Sequence, residues 1–303
     1  MVISLSVNYI LQISLVNQRL QTTKVLKMKK ILLIIATAIS HFSNAQTLVT
    51  PQPSTTQTIK QNFGLSTVEL SYSRPSLKGR KAIGELVPFG NVWRTGANQA
   101  TTLTFGDEVT IGDKKISAGK YGLLSIPGKE TWTLIITKQL DVTSPVAYKQ
   151  ESDVVRVSVK PTILKDKVET FSMQFANVKA SSCDLNLQWE NTSVSLPIST
   201  DVDTKIMAQI SDIMTKDNLP YFNAALYYLE SGKDLNQALT WFDKAAAQNP
   251  SAYWIQHQRA NCLAKLGKKK EAIEAATKSR ELAVIGKNSD YVKLNDDLIN
   301  SLK

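Results

Sequence analysis

Between Thr67 and about Ile198, apolar residues alternate with polar ones at a period of two. In VELSYS, residues 68–73, apolar residues form one face of an extended chain and polar residues form the other. Such alternation is typical of strands with one buried face. Further candidate strands are residues 101–105, 109–111, 120–126, 131–137, 154–159, 169–175, 183–189 and 193–198. About nine short strands separated by turns predict an antiparallel β-sandwich-like domain or a partly closed barrel.

After Thr200 the apolar spacing becomes that of helices rich in Ala and Leu. Residues 219–252 align with residues 253–286 at an offset of 34. The matched pairs include Leu229 with Leu263, Ala238 with Ala272, and Leu239 with Ile273. This period predicts two tetratricopeptide-like repeats, each a helical hairpin. The predicted fold class is therefore α+β in two domains, with the β domain at residues 66–200 and an all-α hairpin stack at residues 201–303.

A stack of two hairpins leaves an apolar face uncovered at each end, because each hairpin shields only its neighbour. About three repeats are usually needed for a stable stack. Flanking apolar stripes therefore predict capping helices. One stripe consists of Ile206, Ile210, Ile213 and Met214, and the other of Leu294, Leu298 and Leu302. The β domain is expected to cover the remaining edge, which would make the two domains one rigid body.

The N-terminal part has the order of a secretory signal. Two lysines follow Met28, an apolar stretch runs from Ile31 to Ile39, and small residues precede a cut after Ala45. A permanent transmembrane helix takes about 20 residues, so this apolar stretch is too short. The alternative is a buried core strand or helix.

A secretory signal divides the N-terminal residues into three segments. Residues 28–45 are interpreted as the signal peptide, residues 46–65 as a linker, and residues 1–27 as an extension from a start site assigned too early. The product is expected to be periplasmic or secreted. Neither Cys183 nor Cys262 lies at the cut, so lipid attachment has no acceptor there and no stable membrane anchor is expected after cleavage.

Removal of the signal also lowers the charge. The chain has 36 Lys and Arg and 26 Asp and Glu, and residues 1–45 hold five of the cations and no acid. The remainder therefore carries 36 − 5 = 31 cations against 26 anions, or +5. A nucleic-acid binder needs an extensive basic surface, so no nucleic-acid partner is expected. The two cysteines fall in different predicted domains, which disfavours a disulfide.

Several separated motifs resemble one known family. The runs SYSRPSLKGRKAIGELVPFGNVWRTGANQATTLTF, KKISAGKYGLLSIPGKETWTLIITK, VVRVSVKP and LNLQWENTSVSLPI follow the order of the bacterial domain-of-unknown-function family 2911, over roughly residues 60–200. The resemblance implies an exported protein of a Gram-negative bacterium, and some members carry a helical repeat tail. It implies no assigned activity. The segment DVTSPVAYKQESD, residues 141–153, departs from the family, where a Trp-Gly pair is expected.

The sequence offers few residues or motifs that could support a familiar catalytic mechanism. His257 is the one histidine after the signal, and no Gly-x-Ser-x-Gly elbow places a nucleophile. Zinc-ligand spacing and Gly-rich phosphate loops are also absent from the sequence, so neither metal nor cofactor is expected. Paired carboxylates are the open alternative, since a hydrolase of carbohydrate or cell-wall material needs only two acids. The acids considered are Glu69, Glu85, Asp107, Glu108, Asp153 and Glu190.

The most unusual stretch is the basic connection of about 27 residues after the first predicted strand. Arginines in such loops grip carboxylate, phosphate or sulfate groups, and a tryptophan adds an aromatic platform for a sugar ring. The candidate ligand-binding residues are Arg74, Lys78, Arg80, Trp93, Arg94 and Asn98. In the structural alternative, Arg74 and Arg94 pin the loop through its carbonyls and through Glu69 or Glu85, while Trp93 plugs the sandwich.

The predicted repeats suggest a second function class. Stacked hairpins present a concave face that suits a protein partner, and Tyr221, Tyr228 and Trp254 are the candidate contact residues; the alternative is that they fill the core. The expected role is thus non-catalytic binding of an anionic or glycan-type envelope ligand, with a protein partner at the repeats. The hydrolase is the alternative.

Overall fold

The computed structural model describes residues 21–24, 27–28, 50–214 and 220–303. Except for Met28, the predicted signal peptide lies outside these residues, as does the start of the predicted linker. The chain divides into units 1–53 and 54–303, and the fold below belongs to the second unit. Within the described ranges, no helix has both the length and the apolar character needed to cross a membrane.

Ten strands form two antiparallel sheets in the described part of the β domain. They are β1 (Thr55–Phe63), β2 (Ser66–Arg74), β3 (Thr101–Phe105), β4 (Val109–Ile111), β5 (Lys114–Ile116), β6 (Gly119–Ile126), β7 (Trp132–Thr137), β8 (Asp153–Val159), β9 (Thr162–Ala176) and β10 (Ser182–Ser199). The first sheet has the order β1-β2-β3-β6-β7-β8 and the second β5-β4-β10-β9. Neither sheet closes on itself, so the barrel alternative is wrong and the sandwich-like fold is confirmed.

One core lies between the two sheets. Alternate residues of β2, including Val68 and Leu70, meet alternate residues of β10, including Leu185 and Leu187, and all four are almost fully buried. Since successive side chains of a strand point to opposite faces, the period of two in the sequence places one apolar row of each strand in this core.

The strands differ from the prediction in several places: β5 was not predicted, and β9 begins at Thr162, before the predicted residues 169–175. The predicted linker 46–65 is wrong over Thr55–Phe63, which forms β1 and pairs along its whole length with β2. As an edge strand of mostly polar residues (TTQTIKQNF), it lacks the apolar row that identifies a half-buried strand. Residues 183–189 and 193–198, expected as separate strands, belong to one long β10, whose register with β9 shifts around Glu190.

Six helices follow in the described residues after the β domain. They are α1 (Val202–Ile213), α2 (Tyr221–Glu230), α3 (Leu235–Gln248), α4 (Tyr253–Lys265), α5 (Lys269–Ile285) and α6 (Ser289–Leu302). Helices α2 and α3 form one hairpin, and helices α4 and α5 form the next. Their second helices begin at Leu235 and Lys269, and 269 − 235 = 34 residues.

The predicted caps form with two differences. Leu298 and Leu302 of α6 pack against the cluster of α4 and α5, whereas Leu294 is 46% exposed and takes no part in the cap. The expected apolar stripe of α1 lines an open groove of about 440 Å³ beside α2, so that α1 covers the edge of α2 only partly.

Helix α1 also joins the β domain to the hairpins. Lys205 forms an ion pair with Asp107, which follows β3. On the other side of α1, Asp203 accepts hydrogen bonds from the Tyr227 hydroxyl and the Lys233 ammonium, each at 2.7 Å. These contacts link the sheet to the first hairpin through a single helix.

Candidate functional site

The basic connection, residues 75–100, touches both sheets before it returns to β3. Ser76 forms an isolated bridge with Thr170 of β9 in the second sheet. Farther along, the Trp93 amide donates to the Ser125 carbonyl at 2.7 Å, and the Ser125 amide donates back at 2.9 Å. Strand β3 begins at Thr101, which pairs with Leu123 of β6, and Trp93 extends this pairing along β6 to Ser125. The connection is therefore held to the sandwich at two separate points.

Apolar side chains anchor the middle of this connection. Leu77, Ala82, Ile83 and Val87 are all buried and belong to the main core. Because their spacing follows a compact turn and not a strand, a search for a period of two does not find them. They anchor residues 77–87, which we call the lobe, while Lys81 and Glu85 of this lobe remain exposed.

Trp93 packs on aromatic residues of the second sheet. Its ring stacks on Trp189 with centroids 5.6 Å apart and 16° between the planes, and it lies 5.0 Å from Phe171. Its indole N–H donates to the Gly96 carbonyl at 2.9 Å. Trp93 is thus held by both packing and a hydrogen bond while it stays only partly buried.

A cleft of about 380 Å³ opens beside Trp93. We call it the Arg94 cleft, and its lining includes Arg80, Leu86, Val87, Trp93, Arg94 and Trp189. The lining also includes Ser144 and Pro145, which lie in the segment 141–153 that departs from the family pattern. Of the described residues that line this cleft, none is an aspartate or a glutamate.

Arg94 combines a pinning contact with an unpaired donor. Its Nη1 donates to the carbonyl of Thr143, the residue before Ser144. Its Nε is buried and finds no hydrogen-bond partner among the described residues. Leaving a buried donor unpaired costs about 1–3 kcal/mol. The bond to Thr143 pins the connection, and the buried Nε adds nothing to that pinning.

The other two arginines bond to carbonyls. Arg80 lines the Arg94 cleft while its Nε donates to the Leu77 carbonyl at 2.9 Å and its Nη2 to the Ser76 carbonyl at 3.1 Å. Arg74 donates to the Phe171 carbonyl at 3.2 Å and does not line the cleft. The ion pairs with Glu69 or Glu85 that the pinning alternative included are not formed by the described arginines, which use backbone carbonyls instead.

Lys78 and Asn98 also lie outside the cleft. Both have left-handed backbones, with φ of +48° and +56°. The Lys78 amide donates to the Glu169 carboxylate at 2.8 Å, and the Asn98 side chain donates to the Ser54 carbonyl at 2.9 Å. Of the six predicted ligand-binding residues, the fold thus brings Arg80, Trp93 and Arg94 together.

A second cleft, of about 540 Å³, lies next to the lobe. We call it the Phe89 cleft, and its lining includes Lys81, Phe89, Lys129, Glu130, Trp132 and Glu190. Glu190 has a left-handed backbone at the β10 irregularity, and its carboxylate accepts from the Ala82 amide at 3.2 Å. Sequence reasoning missed this cleft, because strand alternation does not tell which residues meet at the end of a sandwich.

The remaining predicted acids are dispersed. Asp107 pairs with Lys205, and hydrogen bonds from that ammonium and from a backbone amide hold its pKa below the ordinary value. Asp153 accepts from Tyr148 and Arg156; burial, followed by the bond to Asp153, raises the pKa of Tyr148 to about 12. In the described ranges, no group of three or more His, Cys, Asp or Glu is arranged to hold a metal ion.

The predicted protein-contact aromatics differ in exposure. Tyr221 packs against the cluster that contains Ala245 and Ile255, and Tyr228 lies edge-on to Trp241 with centroids 4.7 Å apart. Trp254 is 37% exposed. The first two therefore contribute to helix packing, and Trp254 is the aromatic residue of the three that is most open to solvent.

The architecture is that of a two-sheet β domain with clefts beside a long connection, followed by helical hairpins. Residues 54–198 match the model of the family described as "Protein of unknown function (DUF2911)". The match covers the β domain from the residue before β1 to the penultimate residue of β10, and it confirms the resemblance noted from the motifs. No curated protein and no solved structure matches the chain.

Proposed function

We propose that this is a non-catalytic binding protein whose Arg94 cleft takes a sugar-like ligand with a negative charge. The observation that carries the proposal is the meeting of Arg80, Trp93 and Arg94 in one cleft. Guanidinium groups form strong, charge-assisted hydrogen bonds with carboxylate and phosphate. An indole face packs well on the apolar face of a sugar ring. The volume of about 380 Å³ falls in the usual range for small-ligand sites.

The charges around the cleft favour an anion. Its described lining holds two guanidinium groups and no carboxylate, so no neighbouring acid in the wall cancels their field.

We test this function with a thermal-shift comparison of three probes. They are oligogalacturonate, its methyl-esterified neutral form, and inorganic phosphate. A ligand present at 100 times its Kd stabilises the folded protein by about 2.7 kcal/mol. We expect stabilisation by oligogalacturonate and little by the neutral ester. Equal shifts with the acidic and neutral forms, or no shift with any probe, would contradict the proposal.

Arg94→Ala separates binding from pinning. The matched control is Arg259→Ala, because Arg259 pairs with Asp243 on the helical hairpins, away from the cleft. We expect Arg94→Ala to lower affinity for oligogalacturonate at least tenfold, a loss of about 1.4 kcal/mol, while the control leaves affinity unchanged. If Arg94→Ala lowers only the melting temperature and keeps the affinity, Arg94 is a structural pin.

Export is part of the proposed role. The order of charged, apolar and small residues in 28–45 supports cleavage after Ala45 and a periplasmic or secreted product. N-terminal sequencing of protein isolated from a periplasmic extract checks this. The expected first residue is Gln46; intact protein that begins at Met1 or Met28 and fractionates with cytosol would oppose it.

We also propose that the hairpins are tetratricopeptide-like and bind an extended protein segment. Support comes from the 34-residue offset between the starts of α3 and α5 and from Ala238 and Ala272, which are equivalent and fully buried. A photo-crosslinking residue at position 254 should capture a partner that the same residue at the exposed Leu140 of the β domain does not capture. Identical crosslinking at both positions would contradict this.

The Phe89 cleft favours the hydrolase alternative as a second candidate. Glu130 and Glu190 both line this cleft, and two carboxylates are what glycoside hydrolysis requires. Release of reducing ends from oligogalacturonate measures the activity, with Glu190→Gln and Glu130→Gln as variants. Turnover lost in both variants supports a hydrolase; turnover that persists in both, or is absent in the wild type, opposes it.

A further inference from the structure

Consecutive residues of the chain line the Arg94 cleft and the Phe89 cleft. Leu86, Val87 and Pro88 line the first cleft, and Phe89 lines the second. The same adjacency recurs on β10, where Trp189 lines the first cleft and Glu190 the second. Residues 86–89, which we call the ridge, therefore run from a cavity of about 380 Å³ to one of about 540 Å³.

The ring of Phe89, on this ridge, lies against Gly84. A Cβ atom on Gly84 would lie 2.7 Å from Phe89 Cε2 and 3.2 Å from Cζ, so the absence of a side chain at Gly84 lets the ring lie against the backbone. The φ of +92° at Gly84 is also one that glycine adopts readily. Even so, 40% of Phe89 remains exposed. An aromatic ring that lies against the backbone and is open to solvent suits stacking by a sugar ring.

The polar lining of the Phe89 cleft differs from that of the Arg94 cleft. It offers donors from Lys81 and Lys129 and acceptors from Glu130 and Glu190. Sugar hydroxyls both donate and accept hydrogen bonds, so they are matched by such a mixed lining. The described lining of the Arg94 cleft has guanidinium groups and no carboxylate, so this cleft is matched by an acid group.

From this arrangement we infer that the ligand is an acidic oligosaccharide chain that lies across the ridge 86–89. One unit places its acid group in the Arg94 cleft, and the following units stack on Phe89 and enter the Phe89 cleft. The inference rests on the proposed function, because it takes the Arg94 cleft as the anion site. A chain that engages both clefts gains affinity, since its second contact is intramolecular.

Isothermal titration calorimetry with galacturonate monomer and hexamer tests the inference. For the wild type we expect the hexamer to bind at least tenfold more tightly than the monomer. Phe89→Ala should weaken hexamer binding about tenfold and change monomer binding less than twofold. Gly84→Ala should have the same selective effect, because its methyl group displaces the ring. Val178→Ala, a matched change at another exposed apolar residue of the β domain, should alter neither.

The outcomes separate this inference from the proposed function. If monomer binds in an Arg94-dependent way but hexamer binds no more tightly, or if Phe89→Ala leaves hexamer binding unchanged, the extended ligand is wrong and the anion site stands. If neither probe binds, both proposals fail. Phe89 is 40% exposed, so its replacement is expected to leave the fold intact even where Gly84→Ala does not.

Discussion

Trp93 and Trp189 stack with 5.6 Å between ring centroids and 16° between ring planes. Trp93 belongs to the long connection and Trp189 to β10, so the stack ties this connection to the second sheet. Phe171 of β9 packs against both rings, at 5.0 and 5.7 Å. The wall of the Arg94 cleft is therefore an extension of the core. Because Arg94 directly follows Trp93, this packing also fixes the backbone of Arg94.

Replacing Trp93 tests this dual role. Trp93→Ala removes the stack and leaves a cavity, so we expect a loss of about 3 kcal/mol in the free energy of unfolding. Urea denaturation measures it. Trp254→Ala, at an exposed tryptophan of α4, should cost less than about 1 kcal/mol. Equal losses in the two variants would show that Trp93 is not part of the core.

A buried polar network should stabilise the last three helices. Asn295 is fully buried; its Oδ1 accepts from His257 Nδ1 at 2.8 Å and its Nδ2 donates to Ser279 Oγ at 2.9 Å. Asn295→Ala leaves His257 Nδ1 without its partner, while Ser279 Oγ still donates to the Tyr253 carbonyl, and we expect a cost of about 2 kcal/mol. Chemical denaturation compares it with Asn300→Ala at an exposed site of the same helix, expected to be nearly neutral. A neutral Asn295→Ala would refute the network's role.

The Asp107–Lys205 ion pair predicts a pH-dependent term in stability. Because the bonded ammonium lowers the folded-state pKa of Asp107, the pair stabilises the fold above the unfolded pKa of about 3.9 and loses this effect as pH falls through the lower folded value. Both groups are partly exposed, so the term should be at most about 1 kcal/mol.

Unfolding of Asp107→Asn and the wild type between pH 2 and 7 measures this term. The variant should be less stable above pH 4 and equal to the wild type near pH 2. Asp113→Asn, in the turn between β4 and β5, serves as the matched control. A stability difference that stays constant down to pH 2 would show that the ion pair is not its source.

The two cysteines should be unreactive in the folded protein. Burial raises the pKa of Cys183 to about 11 and raises that of Cys262 above its ordinary value. Since the thiolate is the reactive form, a thiol reagent at pH 8 should label neither residue in the native state and both in guanidinium. Rapid native labelling at pH 8 would contradict the burial of these side chains.

Much of the fold followed from apolar spacing. The alternation around Val68 and Leu70 predicted β2, and the change of period after Thr200 marked the start of the helices, because each pattern reports which face of an element is buried. Strand β1 was not detected, since an edge strand needs few apolar residues. Leu294 was wrongly assigned to the capping face of α6, because an apolar stripe does not reveal where the neighbouring helix ends.

The candidate site was less accessible to prediction. The cations of the connection suggested an anion site, but composition does not tell that Arg80 and Arg94 line one cleft while Arg74 faces the Phe171 carbonyl. Such placement depends on backbone turns at residues with left-handed φ, such as Lys78 and Asn98. The role of Phe89 appears only once its ring is seen against Gly84, a contact that sequence spacing does not specify.

The most direct test of the central claim is hydrogen exchange measured by mass spectrometry with and without hexagalacturonate. Binding at the two clefts predicts slower exchange in peptides covering 75–100, 141–153 and 186–192, with no change in the helical hairpins. Protection confined to the groove beside α1 and α2, or no protection in the connection at a saturating hexamer concentration, would contradict the assignment of this site.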